Sequence, residues 1–181
     1  MIDRPRFISD AMLGSLAKWL RIIGFDTLYS RTMDDREIAR IGRQERRILL
    51  TRDRALARKK TLHSAILVGS QETLGQLREV LRAVLGGQER QGGAGQSASG
   101  GEFSLPVQPR CPRCNGQLLK AAKESLLNDV PEHVLLAYDS FLRCAECGKV
   151  FWDGSHKRMI DEKLREIMRE MGVPWKNSGN G

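Results

Sequence analysis

No run of apolar residues in this chain approaches the roughly 20 needed to cross a bilayer, so no spanning helix is expected. The opening residues, Met1 to Arg6, are not followed by the apolar core of a signal peptide. Cysteine is scarce as well. The 181 residues hold four, Cys111, Cys114, Cys144 and Cys147, and none is left over for a separate disulfide framework. Together these absences lead us to expect a reducing, cytoplasmic setting. Two disulfides in a secreted chain are the alternative, and no export signal supports it. An acidic excess is missing too. The formal charge is +8, and it is unevenly spread. Residues 1–85 carry 17 Lys/Arg against 10 Asp/Glu, whereas residues 102–181 carry 12 against 11. The positive field therefore belongs to the N-terminal half. Acidic polymers such as RNA are its natural partners, although basic proteins are often merely soluble.

The four cysteines stand as two CxxC pairs with a medium-length insert. Two intervening residues let both thiolates turn onto one ion, and two such pairs complete a tetrahedral S4 zinc site. Asn115 and Gly148 follow the two pairs, and both residue types tolerate the positive φ of a knuckle turn. Residues 86–101 are rich in glycine and lack any large apolar side chain, so they read as a flexible linker. The chain thus divides into an α/β unit over 1–85, the linker, a zinc ribbon over 102–172 and a tail over 173–181. Beyond the two knuckles there is no internal repeat.

The first half alternates strand and helix signals. Strands are expected over 6–9, 27–29, 47–51 and 65–68, the last two apolar enough to be buried on both faces. Helices are expected over 12–23, 35–45 and 54–59, with a last one beginning at Ser70. In the first of these, Leu13, Leu16, Leu20 and Ile23 form one face and Lys18 and Arg21 another, and Gly24 suits the C-terminal cap. This order predicts a parallel sheet flanked by helices. The second half reads as short strands around the knuckles, a short helix over 131–138 and a terminal helix over 160–171.

Three aspartates stand where a strand signal gives way to a helix: Asp10, Asp35 and Asp53. In an open parallel sheet the carboxyl ends of the strands face one crevice, where ligands bind. Crowded carboxylates repel one another unless a cation joins them, and Mg2+ or Mn2+ suits oxygen ligands. Aspartate is also among the best helix N-caps, worth roughly 1 kcal/mol, so each of these residues taken singly reads first as a cap, and it is three at one sheet edge of a basic domain that point toward a metal. Asp34 and Glu37 form a capping-box pattern beside Asp35.

Other signals are weaker. Arg36, Arg40, Arg43, Arg46 and Arg47 crowd one helix and its exit, either to track phosphates or as a solvated face. Gly14 and Ser15 allow either a substrate or a neighbouring element to approach. Trp19 reads as core. In the ribbon, Arg113, Lys120, Lys149, Lys157 and Arg158 interleave with Phe151 and Trp152, a pattern able to stack on and grip single-stranded nucleic acid. At least one of these aromatics is expected in the ribbon's core. His156 lies at a turn, as a phosphate contact or simply an exposed residue.

These motifs together resemble a known family. Phe7 to Asp10, Met12 to Arg21 and Gly24 to Asp26 are similar to the opening of the Mut-seven C-terminal RNase family. Leu49 to Asp53 resembles its middle motif. Arg110 to Asn115, Cys144 to Trp152 and Gly154 to His156 resemble its zinc ribbon. The resemblance implies a PIN-like fold fused to a zinc ribbon and a metal-dependent ribonuclease. On that analogy Asp10 and Asp53 are the first metal-binding acids and Asp35 the third. No acid follows the next strand, over 65–70, and the glycine-rich insert is not part of the pattern. The expected function is Mg2+- or Mn2+-dependent hydrolysis of RNA, with Arg36, Arg40, Arg43, Arg47, His156 and Lys157 as nucleic-acid contacts. The alternative is a non-catalytic RNA- or ribosome-associated binder in which the aspartates are caps. A protein-interaction module would need an exposed apolar patch.

Overall fold

The computed structural model describes residues 4–59, 62–86 and 108–173. The expected linker from residue 87 onward, and the expected tail from residue 174 with Trp175, lie outside these residues.

Four strands, β1 (Phe7–Ser9), β2 (Thr27–Tyr29), β3 (Ile48–Thr51) and β4 (Ser64–Leu67), form a parallel sheet in the order β2-β1-β3-β4. Successive side chains of a strand point to opposite faces, which explains why the central strands are apolar at consecutive positions. Phe7 and Leu50 face a core built with Leu16 and Leu20 of helix α1 (Gly14–Ile22) and Leu77 and Leu81 of α4 (Thr73–Gly86). Ile8 and Leu49 face the other side. There they meet Ile38 of α2 (Asp35–Gln44) and Leu56 of α3 (Arg54–Ala57). The strand expected over 65–68 differs from the prediction. As β4 it is the sheet's edge, without a neighbour on one side among the described residues, and Leu67 is 45% exposed.

Strand order also locates the site. The helix after β1 lies on one face and the helix after β3 on the other, although the two strands are neighbours. Their carboxyl ends therefore bound a topological switch point, the place where open α/β sheets bind ligands.

Local signals set the helix ends. Gly24, at φ 97°, stops α1 as expected: its amide donates to the Arg21 carbonyl at 2.9 Å and the Phe25 amide to the Leu20 carbonyl at 2.9 Å. Leu20 and Phe25 then pack in the same core. Asp34 caps α2, accepting from the Glu37 amide at 2.8 Å. Gly14 admits a neighbouring element, since a Cβ there would lie 2.5 Å from the Tyr29 ring.

A second, antiparallel sheet, β5 (Leu118–Lys120), β6 (Phe141–Cys144) and β7 (Val150–Trp152), carries the ribbon. Its own small core gathers Leu126, Phe141 and, from α5 (Glu132–Ala137), Val134 and Leu135. Phe151 and Trp152 are not part of it, contrary to expectation; Trp152 is 36% exposed and lies against Gly154. The last helix, α6 (Ser155–Glu170), begins five residues before the expected start. Its Leu164, Ile167 and Met168 are buried in the core of α1 and α4, and Glu170 pairs with Arg78 at 2.8 Å. The helix that follows the ribbon thus completes the core of the α/β unit, while the ribbon sheet keeps its own.

Candidate active site and metal centre

The four cysteines converge. The Sγ atoms of Cys111 and Cys147 are 3.7 Å apart, those of Cys114 and Cys144 3.4 Å, and all four lie within 4.8 Å of one another. None is disulfide-bonded. Tetrahedral zinc with Zn–S bonds of about 2.3 Å needs sulfurs about 3.8 Å apart, so the donor set and its spacing fit a structural zinc ion. The knuckle turns form as expected, with φ 73° at Asn115 and 69° at Gly148. Burial pushes the Cys111 thiol above its usual range, while the Lys149 backbone amide draws Cys147 down to about 7.

The first knuckle is fastened to the α/β unit through buried groups that sequence reasoning missed. The Thr27 amide donates to Asn115 Oδ1 at 3.0 Å, and Asn115 Nδ2 donates to Asp26 Oδ1 at 2.8 Å. Arg21, expected on a polar face, is only 4% exposed. Its guanidinium donates to the carbonyls of Thr27 at 2.9 Å, Pro112 at 3.0 Å and Arg113 at 3.2 Å. Burial lowers its pKa, opposed by the charges of Cys114 and Cys111. The only hint in the sequence was Asn115's position after the first CxxC.

Arg47, expected as a nucleic-acid contact, is turned into the protein rather than toward solvent. It is 5% exposed, and it donates to Asp26 at 2.7 Å, to Glu45 at 2.7 Å and to the Phe7 carbonyl at 3.2 Å. Lys157 pairs with Asp153 at 2.9 Å and lies 3.8 Å from Asp161. The His156 side chain is outside the described set.

At the switch point stands Asp10, 7% exposed, immediately after β1. Its Oδ1 accepts from the Met12 amide at 2.9 Å. Its Oδ2 accepts from the Thr51 hydroxyl and from the Arg52 amide at 3.2 Å. Thr51 Oγ1 in turn accepts from the Asp53 amide at 2.9 Å, so one hydroxyl links the two aspartates. Asp53 caps α3: its Oδ1 accepts from the amides of Ala55 at 2.6 Å and Leu56 at 3.1 Å, and no described group bonds Oδ2. Neither aspartate forms an ion pair among the described residues. Asp35, in contrast, opens α2 and pairs with Lys59 at 3.1 Å. It lines a groove of about 620 Å3 with Arg36, Arg40, Arg43 and Lys59. The three aspartates do not gather within 4.8 Å; among the described residues, only the cysteines do.

The two aspartates at the switch point offer hard oxygen donors with no competing cation among the described residues. Mg2+ is commonly held by one or two carboxylates and its own waters, so two acids suffice for the donor chemistry.

Fold and site define a basic parallel α/β unit joined to a four-cysteine ribbon. The chain belongs to the Mut7-C RNAse domain family, whose model matches residues 5–91 and 99–164. Membership suggests a ribonuclease-type function, with RNA as the implied substrate. No curated protein and no solved structure matches the chain. No helix among the described residues is long and apolar enough to cross a membrane.

Proposed function

We propose that this protein is a cytoplasmic, metal-dependent ribonuclease that hydrolyses RNA phosphodiester bonds, with the zinc ribbon as an RNA-binding accessory. The observation that carries the reading is Asp10: a buried carboxylate at the switch point of a parallel sheet, without a counter-cation among the described residues. A buried anion is costly unless it is compensated, and a divalent ion supplies that compensation. Asp10 and Asp53 would hold Mg2+ or Mn2+; Asp35, expected as the third acid, pairs with Lys59 instead. Bound there, the ion supplies acidity to a water and charge stabilisation at the phosphate. The chain's own residues do the positioning. Thr51 and the Arg52 amide fix the Asp10 carboxylate, and the same hydroxyl anchors the turn that presents Asp53.

The test compares wild type with Asp10→Asn and Asp53→Asn on labelled RNA, with Mg2+, Mn2+ or EDTA. Asparagine caps helices as well as aspartate does, so both variants are expected to stay folded. Each is expected to abolish EDTA-sensitive cleavage. Undiminished cleavage by both overturns the assignment.

A second reading is favoured by a different observation: Asp10 and Asp53 each accept an amide hydrogen from the turn or helix they begin. As caps alone, they would belong to a non-catalytic RNA- or ribosome-associated binder. That protein binds RNA in a salt-dependent way but shows no metal-dependent turnover in the same assay.

A further inference from the structure

Helix α2 has one apolar side and one cationic side. Ile38 and Gly42 are buried, while Arg36, Arg40 and Arg43 are exposed. Their spacing of four and three residues puts the three guanidinium groups in one row, about 10 Å long at 1.5 Å per residue. Lys59, beyond α3, closes the row across the groove. Sequence reasoning did not connect it with the helix. The lining holds a single acid, Asp35, and Lys59 already pairs with it. Arg36 and Arg43 form no ion pair among the described residues, and Arg40 reaches only Gln44 Oε1, at 2.7 Å. Arginines at i, i+4 and i+7 repel one another, so the row weakens the helix rather than supporting it. A polyanion laid along it reverses the sign of that effect, and guanidinium groups match phosphate oxygens in pairs.

We infer that the α2 groove holds the phosphate backbone of a single RNA strand leading away from the acid-bearing rim. The identity of the polyanion rests on the ribonuclease reading above; the groove rests on its own geometry. The strand is single because there is one row of cations, enough for one backbone. The groove begins at Asp35, where α2 leaves the carboxyl end of the sheet, and runs along the helix to Arg43 and Gln44. Arg40 and Arg43 then act on the strand beyond the cut, not on the reacting phosphate.

The experiment measures binding rather than turnover. Zinc-loaded full-length protein, without added Mg2+ or Mn2+, is titrated into a labelled single-stranded RNA and a duplex RNA, followed by fluorescence anisotropy. Arg40→Glu/Arg43→Glu is compared with Arg165→Glu/Arg169→Glu on α6, which changes the net charge equally at exposed residues elsewhere. The groove variant is expected to weaken single-strand binding by about tenfold or more at about 0.1 M salt. The slope of log K against log salt is expected to shrink by about 1.4, or about 0.7 for each phosphate that is no longer neutralised. Arg40→Lys/Arg43→Lys keeps the charge and is expected to keep most of the slope. Equal losses from the groove and α6 variants overturn the inference, as does binding that survives the groove reversal. Duplex RNA bound more tightly, with the same sensitivity, overturns the single-strand assignment. Cleavage is scored separately on the same preparations. Absent turnover counts against the nuclease reading alone, and intact turnover with groove-independent binding counts against the groove alone.

Discussion

Asn115 turns the first knuckle with a backbone most side chains avoid, and with its amide it ties that knuckle to β2. The two roles can be separated by substitution. Asn115→Gly keeps the left-handed turn at no steric cost and loses only the hydrogen bonds, leaving the buried Thr27 amide unpaired. It is expected to cost about 1–3 kcal/mol. Asn115→Ala adds the strain of a positive φ and is expected to cost about 1 kcal/mol more. Urea denaturation measures both, and a glycine variant as stable as wild type would remove the docking role. Asp26 lies in the same network. Burial works against its ionised form, but Arg47 and Asn115 outweigh that and hold the carboxyl below its usual range. A depressed carboxyl adds stability above its unfolded pKa of about 3.9, and that stability fades as pH falls through the lower folded value. Asp26→Asn is therefore expected to flatten the dependence of stability on pH below about pH 4. An unchanged slope would count against the pairing.

Among the elements, α6 is the one whose role is most altered by packing. Its start at Ser155 places it next to the ribbon in sequence, yet Leu164, Ile167 and Met168 complete the core beneath β1 and β3. A Leu164→Ala substitution should cost about 2–5 kcal/mol and lower the stability of the α/β unit, although it lies more than a hundred residues from β3. Hydrogen exchange across β1 and β3 provides the readout; protection equal to wild type would mean that α6 is dispensable to the sheet. The other helices were legible from sequence because their signals are local. The row of Leu13, Leu16 and Leu20, the Gly24 stop and the Asp34 cap each act within a few residues. Strand β4 was legible as a strand, but its place at the edge was not. Apolar residues such as Ile66 and Leu67 look alike in a central and an edge position, and only the strand order separates the two.

For the whole molecule, the four-cysteine site and the sheet are coupled through the first knuckle. The carbonyls of Pro112 and Arg113 and the side chain of Asn115 make their bonds to Arg21, Asp26 and Thr27 only while the knuckle keeps its shape. A metal held by four thiolates fixes that shape, and its binding energy is folding energy. Chelating the metal from reduced protein is expected to lower the unfolding temperature of the entire chain and to speed exchange at the Thr27 amide. A melting curve in which only the ribbon responds would show that the two units are independent. Acidification should act in the same direction, because the thiols must lose their protons to hold zinc, and burial keeps that of Cys111 in place.

Residue types and short spacings sufficed for the four-cysteine cluster, the knuckle turns, the parallel order of strands and helices, and the family resemblance. Each of these depends on neighbours within a few positions or on a repeated pattern. Tertiary structure alone decided what happens between distant residues. Thr51 joins the Asp10 carboxylate to the Asp53 backbone amide at the switch point, while Asp35 pairs with Lys59 beside the arginine row. Arg47 and Arg21, basic and outwardly alike in sequence, are buried as clamps. The physical reason is that charge and hydrogen-bonding capacity belong to a side chain, but whether water or protein satisfies them depends on packing contributed by the rest of the chain.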